Sequence, residues 1–140
     1  MNKQKTKILN FIKKQKVCVL STVTKSHKPE SAVIEFGETN NLEIVFDTIT
    51  TYRKYKNLQH NPNVAVAIGL DSDIIIQYEG KAIELVGTAA KKYKESYWKK
   101  NPKAQKWESC PGIKFFKIVP KWIRYSDLSK KKWEVFEVKF

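Results

Sequence analysis

Short runs of β-forming residues, separated by turn residues, recur along the 140 residues of this chain and constrain its fold more than any other feature. The predicted strands are Val17–Val23, Ser31–Phe36, Leu42–Phe46, Val64–Gly69, Ile74–Val86, Ile113–Val119, Trp122–Tyr125 and Trp133–Phe140. No regular alternation of strand and helix accompanies them. The pattern therefore predicts one mainly β domain over 1–140, a small barrel with added helices. An OB-like or SH3-like barrel fits this pattern equally well.

Three segments have helical patterns: residues 4–15, Thr50–His60 and Thr88–Lys100. The second is expected to end before Asn61-Pro62, because a residue that precedes proline disfavours α geometry. Among the strands, Val64–Gly69 is apolar throughout, which predicts burial on both faces. Gly37–Asn41 is expected to form a hairpin turn, and Gly80 to mark a bulge.

The formal net charge is +13, with 27 Lys and Arg against 14 Asp and Glu. Lysines cluster between Lys3 and Lys16 and again between Lys91 and Lys106. Such charge attracts phosphorylated ligands, nucleic acid or an anionic membrane surface. Because only Arg53 and Arg124 are arginines, we favour a solvated lysine-rich surface over a nucleic-acid interface.

The sequence predicts a cytoplasmic protein without a membrane segment or metal site. No apolar run approaches the roughly 20 residues of a membrane span, and the first residues lack the apolar core of a secretory signal. Cys18 and Cys110 are far apart without CxxC spacing, which indicates reduced thiols. His27 and His60 have no partner at ligand spacing.

The segment Phe46–Pro62 combines features of a phosphate site. A β-rich run enters it, hydroxyl side chains cluster at a turn, and Arg53 and Lys54 follow in the first turn of the predicted helix. The N–H groups at a helix start carry partial positive charge and lack intrahelical partners. A guanidinium and an ammonium added there suit a phosphate group. Thr48 has an alternative role as an N-cap.

Four parts of the chain, in order, resemble the FMN-binding split-barrel family, whose best-known members are the pyridoxamine phosphate oxidases. They are Val17–Val23 with the turn and strand that follow, Phe46–Pro62, Val64–Gly80 with Lys81-Ala82 after it, and the closing strand Ile118–Asp127. The resemblance covers most of the chain. It implies a split barrel that forms homodimers and binds FMN in clefts between subunits, with FAD or a deazaflavin as alternative cofactors.

The resemblance also implies roles for individual residues. Arg53 and Lys54 would hold the FMN phosphate, helped by the hydroxyl of Thr48 and those of Thr50 or Thr51. The backbone of Val33, Ile34, Glu35 and Phe36 would lie along the isoalloxazine ring. Gln77 lies on the strand that in relatives contacts phosphate or ring from the partner's side.

The chain departs from the pyridoxamine phosphate oxidases at two places. Its end, Lys130–Phe140, lacks their arginine- and histidine-containing segment, and Ile74–Gln77 lacks their Arg-Gln pair. We therefore expect an FMN-binding oxidoreductase with another, unknown substrate and a nicotinamide nucleotide or other small molecule as electron donor. The alternatives are a non-catalytic, stress-associated flavin-binding protein and a basic nucleic-acid-binding barrel. No catalytic side-chain constellation stands out.

Overall fold

The computed structural model describes residues 1–140. Eight strands and three α-helices follow one another in the order α1, β1 to β4, α2, β5, β6, α3, β7 and β8. The helices are α1 (Lys3–Lys13), α2 (Arg53–His60) and α3 (Lys91–Lys100). The strands are β1 (Val17–Val23), β2 (Pro29–Glu35), β3 (Gly37–Glu38), β4 (Ile44–Ile49), β5 (Asn63–Ile68), β6 (Ile74–Leu85), β7 (Ile113–Asp127) and β8 (Glu134–Lys139).

All strands join one antiparallel sheet, in the order β2-β1-β5-β6-β7-β4-β3. Strand β8 also pairs with β7, beyond the part of β7 that pairs with β4. Strand β2 ends this path, so one of its edges has no strand partner. The mainly β prediction is confirmed.

The sheet curls around one large apolar core. Alternate residues of the strands face it, as the buried positions of β1 and β5 illustrate. Helix α1 covers it with Ile8, Leu9, Phe11 and Ile12, which recur at helical spacing. A smaller cluster, which includes Val45, Tyr97 and Phe115, packs α3 against β4 and β7. The longest α-helix has 11 residues, and none has the length and apolarity needed to span a bilayer.

The opposite side of the sheet is open. Residues paired across neighbouring strands point to the same side, and one such row consists of Val33, Val19, Ala67, Gln77 and Arg124. Val33 is 63% exposed, and Ala67 and Gln77 are exposed as well. We call this side, as carried by β2, β1, β5, β6 and β7, the open face.

Several element predictions need correction. Strand β5 is buried on one face only, because Ala65 and Ala67 lie on the open face. The strand predicted at Leu42–Phe46 runs from Ile44 to Ile49, and Gly37–Glu38 forms the short strand β3 within the predicted turn.

The other differences lie around α3 and β7. The helix predicted from Thr88 starts with a 3₁₀ turn, Thr88–Ala90, and becomes α-helical at Lys91. Pro102–Ser109 adds a second 3₁₀ segment that was not predicted. The two strands predicted around Pro120 are one continuous strand, β7.

Candidate phosphate site

The predicted phosphate segment folds as a strand, a turn and a helix. Strand β4 ends at Ile49, and α2 begins at Arg53 after an N-cap, Tyr52, in extended conformation. No side chain caps α2. The positive end of this helix is therefore not neutralised by a capping oxygen. Arg53 and Lys54 occupy its first turn, as predicted.

A cavity of about 360 Å³ lies between this end of α2 and strands β1 and β2. The turn and helix contribute Thr51, Tyr52, Arg53, Lys54 and Asn57 to its wall, while the strands contribute Leu20, Thr22 and Glu30–Ala32. The lining is mostly polar and combines hydroxyl, amide, guanidinium and ammonium donors. The fold thus brings three of the predicted site residues, Thr51, Arg53 and Lys54, to one cavity.

Arg53 already binds a carboxylate inside the protein. Its Nη1 donates to Oε2 of Glu30 at 2.7 Å, and the Asn57 Nδ2 donates both to Glu30 Oε1 and to Thr22 Oγ1 at 2.9 Å. The hydrogen bond from Asn57 and the charges of Arg53 and Lys28 hold the pKa of Glu30 below its ordinary value. An anion is therefore stable at this position, and Glu30 stays ionised there.

Lys54 lies in a less solvated position than Arg53. Burial lowers the pKa of its ammonium group, an effect that the Asp47 carboxylate opposes. The Asp47 side chain accepts a hydrogen bond of 3.1 Å from the Tyr97 hydroxyl. Burial raises the pKa of Asp47, an effect that the hydrogen bond from Tyr97 and the charge of Lys54 oppose. A bound anion would restore the electrostatic stabilisation that the ammonium loses on burial.

Seven of the ten predicted site residues lie outside the cavity wall, and Thr48, Thr50 and Gln77 are three of them. Thr48 lies within β4, so it is not the N-cap; its hydroxyl is buried and has no hydrogen-bond partner. Thr50 is exposed and its N–H donates to the Gly112 carbonyl at 3.0 Å. Gln77 lies on β6, three strand spacings or about 14 Å from β2, on the open face. Within one subunit, Gln77 is not part of this cavity.

The predicted ring-binding residues follow the cavity along β2 and the first residue after it. Ile34 and Phe36 point into the core, with 8% and 0% exposure. Val33 and Glu35 point to the open face. Because β2 is an edge strand, the backbone of this segment is what remains available to a ligand.

The prediction from sequence does not include three residues of the cavity wall, Glu30, Asn57 and Thr22. Glu30 precedes Arg53 by 23 residues, and their contact arises only when α2 packs over the β1–β2 ladder. For Asn57 a local signal existed: it follows Arg53 by four residues, so both side chains lie on the same side of α2.

Comparisons with known proteins agree with this architecture. The family profile described as pyridoxamine 5'-phosphate oxidase matches residues 4–127. General stress protein 26 of Bacillus subtilis (strain 168) is 29% identical over an alignment of length 140. The alignment covers 94% of this chain and 95% of that protein.

Solved structures share the fold. General Stress Protein 26 from Bacillus anthracis str. Sterne, 29% identical, superposes with a TM-score of 0.74 over 96% of this chain and 98% of its own. A heme binding protein from Mycobacterium smegmatis, 13% identical, superposes with a TM-score of 0.83. The superposition covers 97% of this chain and 58% of the heme binding protein's chain. The predicted split barrel is thus confirmed. With its family profile matched from residue 4 to residue 127, the chain belongs to the pyridoxamine 5'-phosphate oxidase family.

Proposed function

We propose that this chain binds FMN, with the phosphate at Arg53 and Lys54, and acts as a flavin-dependent oxidoreductase. The observation that carries the proposal is the set of donors around one cavity: the guanidinium, the ammonium and the Thr51 hydroxyl at the uncapped start of α2. Arg53 already donates to the Glu30 carboxylate, and because a carboxylate and a phosphate oxygen use the same donors, the phosphate would share this guanidinium with Glu30.

The flat part of the cofactor would extend from this cavity along the free edge of β2. Backbone groups between Val33 and Glu35 that face this edge have no strand partner and suit the polar rim of an isoalloxazine ring, whereas the Phe36 carbonyl already accepts a hydrogen bond of 2.7 Å from Asn101 Nδ2. When bound, the flavin supplies the hydride or electron transfer chemistry. The chain would bind its phosphate, orient its ring and restrict solvent access to the phosphate end.

The substrate we propose is not pyridoxamine 5'-phosphate. Residues 128–140 contain neither arginine nor histidine, and β8 within them is an ordinary strand paired with β7. The family's phosphate-recognising segment therefore has no equivalent in this part of the chain. A nicotinamide nucleotide or another small electron donor remains our proposal for the reductant.

The barrel itself does not select the cofactor, since a heme binding protein has the same fold. The side chains in the cavity must therefore determine which cofactor binds. A wall of hydroxyl, amide, guanidinium and ammonium groups favours a phosphorylated ligand over an apolar one.

We further propose that the chain forms a homodimer through its open face. Gln77 is exposed there, remote from the cavity of its own subunit. A second copy packed on this face would cover apolar side chains such as Val33 and Val17, which are 63% and 39% exposed. In such a dimer, Gln77 could contact a ligand held by the other subunit.

We place the protein in the cytoplasm. The structure contains two free cysteines and no disulfide. Cys18 is buried, and its burial raises the pKa of its thiol to about 12, so that it remains protonated. This arrangement suits a reducing compartment.

An absorption spectrum of the purified protein tests the flavin proposal. After FMN is added and the excess removed, we expect bands to be retained near about 375 and 450 nm. Loss of these bands would overturn the proposal. Anaerobic addition of NADH or NADPH to the retained flavin then separates the two candidate functions: bleaching near 450 nm supports an oxidoreductase, and no bleaching favours the non-catalytic flavin-binding protein.

A further inference from the structure

A second cavity, of about 520 Å³, adjoins the candidate phosphate site. The two share Glu30, Arg53 and Asn57, which form the wall between them. The remaining lining residues of this adjoining cavity are Thr24, Lys25, Ser26, Lys56 and His60. None of its lining residues is apolar. Each lining residue therefore offers a polar or charged group to an occupant.

The adjoining cavity has an excess of positive charge, with Lys25, Arg53 and Lys56 against Glu30. Arg53 and Lys56 lie at i and i+3 of α2 and so on one side of this helix, and His60 at i+7 lies on the same side. Lys25 faces them from the β1–β2 loop. The one carboxylate present, Glu30, is in ion pairs with Arg53 and Lys28. Neither Lys25 nor Lys56 has an ion-pair partner, so both ammonium groups are available to an external anion.

The position of the cavity indicates what kind of anion it would receive. Along the β1–β2 ladder, the proposed ring edge at Val33–Phe36 comes first and the pair Thr22 and Glu30 of the phosphate site comes next. The loop residues Thr24–Ser26 lie beyond that pair. The adjoining cavity therefore continues from the phosphate in the direction away from the ring.

A separate substrate in this cavity could not react with the ring. Glu30 is three residues from Val33, which corresponds to about 10 Å along the strand, and the loop residues are farther away. A group that is covalently attached to the cofactor phosphate, in contrast, would enter the cavity directly. The charges of Lys25 and Lys56 would then act on a second phosphoryl group.

We propose that the adjoining cavity binds the second phosphoryl group of a flavin dinucleotide, so that the protein binds FAD more tightly than FMN. This inference rests on the proposed function, since it takes the first phosphate to lie at Arg53 and Lys54. Thr24 Oγ1 and Ser26 Oγ share a hydrogen bond of 3.1 Å, so one of the two hydroxyls keeps a proton to donate to the same group.

Titration of FAD and FMN against the full-length protein, followed by quenching of flavin fluorescence, tests this proposal. We expect the wild type to bind FAD roughly tenfold more tightly than FMN, the effect of one additional charge-assisted contact. The double variant Lys25→Ala/Lys56→Ala should lose this preference and keep its FMN affinity. The matched control, Lys99→Ala/Lys103→Ala, removes the same charge at a distant surface and should keep the preference.

Three outcomes overturn the inference in distinguishable ways. FMN binding with no preference for FAD contradicts the second phosphoryl site and leaves the proposed function intact. An equal loss of preference in both double variants shows that the overall charge, and not this cavity, attracts FAD. Failure of the wild type to bind either flavin removes the proposed function and this inference together.

Discussion

Among single residues, Glu30 has the largest influence on the charge of the candidate phosphate site. Its carboxylate accepts hydrogen bonds from Arg53 at 2.7 Å and Asn57 at 2.9 Å, and Lys28 lies 3.7 Å away. A phosphate that binds Arg53 must therefore share the guanidinium with this carboxylate. The arrangement keeps Arg53 in place before any ligand arrives.

The lowered pKa of Glu30 predicts how stability depends on pH. A carboxyl group whose pKa is lower in the folded than in the unfolded state stabilises the fold above its unfolded pKa, and this contribution disappears as pH falls through the folded-state pKa. The ordinary pKa of Glu is about 4.3. We expect the free energy of unfolding to decrease as the pH drops below about 4.5. The variant Glu30→Gln should be less stable than the wild type at pH 7, and its stability should depend less on pH.

Urea unfolding of both proteins between pH 7 and pH 3 measures this difference. Glu95→Gln is the matched control, because Glu95 is exposed on α3, away from the open face, and forms no ion pair; it should keep the wild-type pH dependence. Identical pH dependence in Glu30→Gln and the wild type would show that Glu30 contributes nothing to acid unfolding.

Among the individual site residues, the sequence pattern predicts Arg53 and Lys54 but not Glu30 or Thr22. Arg53 and Lys54 are neighbours within one helical turn, so a local pattern was sufficient to place them together. Glu30 and Thr22 join them only through the packing of α2 against the β1–β2 ladder. Such contacts are absent from any local pattern, because they link residues more than 20 positions apart.

At the scale of elements, the long pair of β6 and β7 organises the sheet. The register shifts between Glu79 and Gly80, where Gly80 pairs with Pro120 and Lys121 is left without a partner on β6. Proline has no N–H to donate, so a bulge is a position where a strand tolerates it. For this reason β7 continues through Pro120, and the prediction of two strands was wrong. The predicted bulge at Gly80 was correct.

Gly80→Ala should destabilise the fold. A Cβ at Gly80 would lie 2.5 Å from the Val119 carbonyl oxygen and 2.8 Å from the Ile118 Cγ2, so the tightly paired strands would have to separate. We expect a loss of about 2–3 kcal/mol in the free energy of unfolding, a typical cost of overpacking. Urea titration followed by tryptophan fluorescence measures it.

Gly87→Ala provides the comparison for Gly80→Ala. A Cβ at Gly87 meets no atom within 4 Å, but φ of +67° and ψ of −157° lie in a region that only glycine readily adopts, so Gly87→Ala measures backbone strain of about 1–3 kcal/mol without overpacking. A loss below about 1 kcal/mol in Gly80→Ala would show that close packing at the bulge is unimportant.

The alternation of buried and exposed residues in β5 is not visible from residue type. Alanine and valine alternate along Asn63–Ile68, and both are apolar, so the run read as buried on both faces. The structure exposes both alanines, Ala65 and Ala67, in the single chain. The spacing of Arg53, Lys56 and His60 in α2, in contrast, indicates a helix side of basic residues. The prediction from sequence did not include this side of the helix.

At the scale of the whole molecule, the curled sheet has a filled side and an open side. The core lies within the curl, while the open face exposes small or apolar residues such as Val17, Val33 and Ala67 beside polar ones such as Glu35 and Gln77. Face-to-face packing of two copies would cover this surface, as one self-complementary interface. The proposed homodimer follows from this asymmetry.

Ala67→Glu should convert the proposed dimer to a monomer. Ala67 lies between Val19 and Gln77 in the central row of the open face, where a buried charge without a partner would be costly. Sedimentation velocity distinguishes the two states, and circular dichroism confirms that the variant folds. Ala89→Glu, which changes an exposed alanine beyond this face, should remain dimeric. A monomeric wild type, or a dimeric Ala67→Glu, would contradict the proposal.

The order of four family-like segments was enough to predict the architecture of the whole chain, and the family match over residues 4–127 agrees with it. Strand order was less accessible. That β1 lies between β2 and β5 depends on long-range pairing, such as Val19 with both Val33 and Ala67, which periodicity does not encode.

The most direct test of this account compares FMN with riboflavin, which has the same ring and ribityl chain but no phosphate. Both are titrated against the wild type, Lys54→Ala and the control Lys103→Ala, at one fixed salt concentration. Because the account places the phosphate at Arg53 and Lys54, we expect the wild type to prefer FMN. Lys54→Ala should weaken FMN binding by about 1.5–3 kcal/mol and leave riboflavin binding and the control unchanged. Equal affinity of the wild type for both ligands, or unchanged FMN binding in Lys54→Ala, would contradict the account.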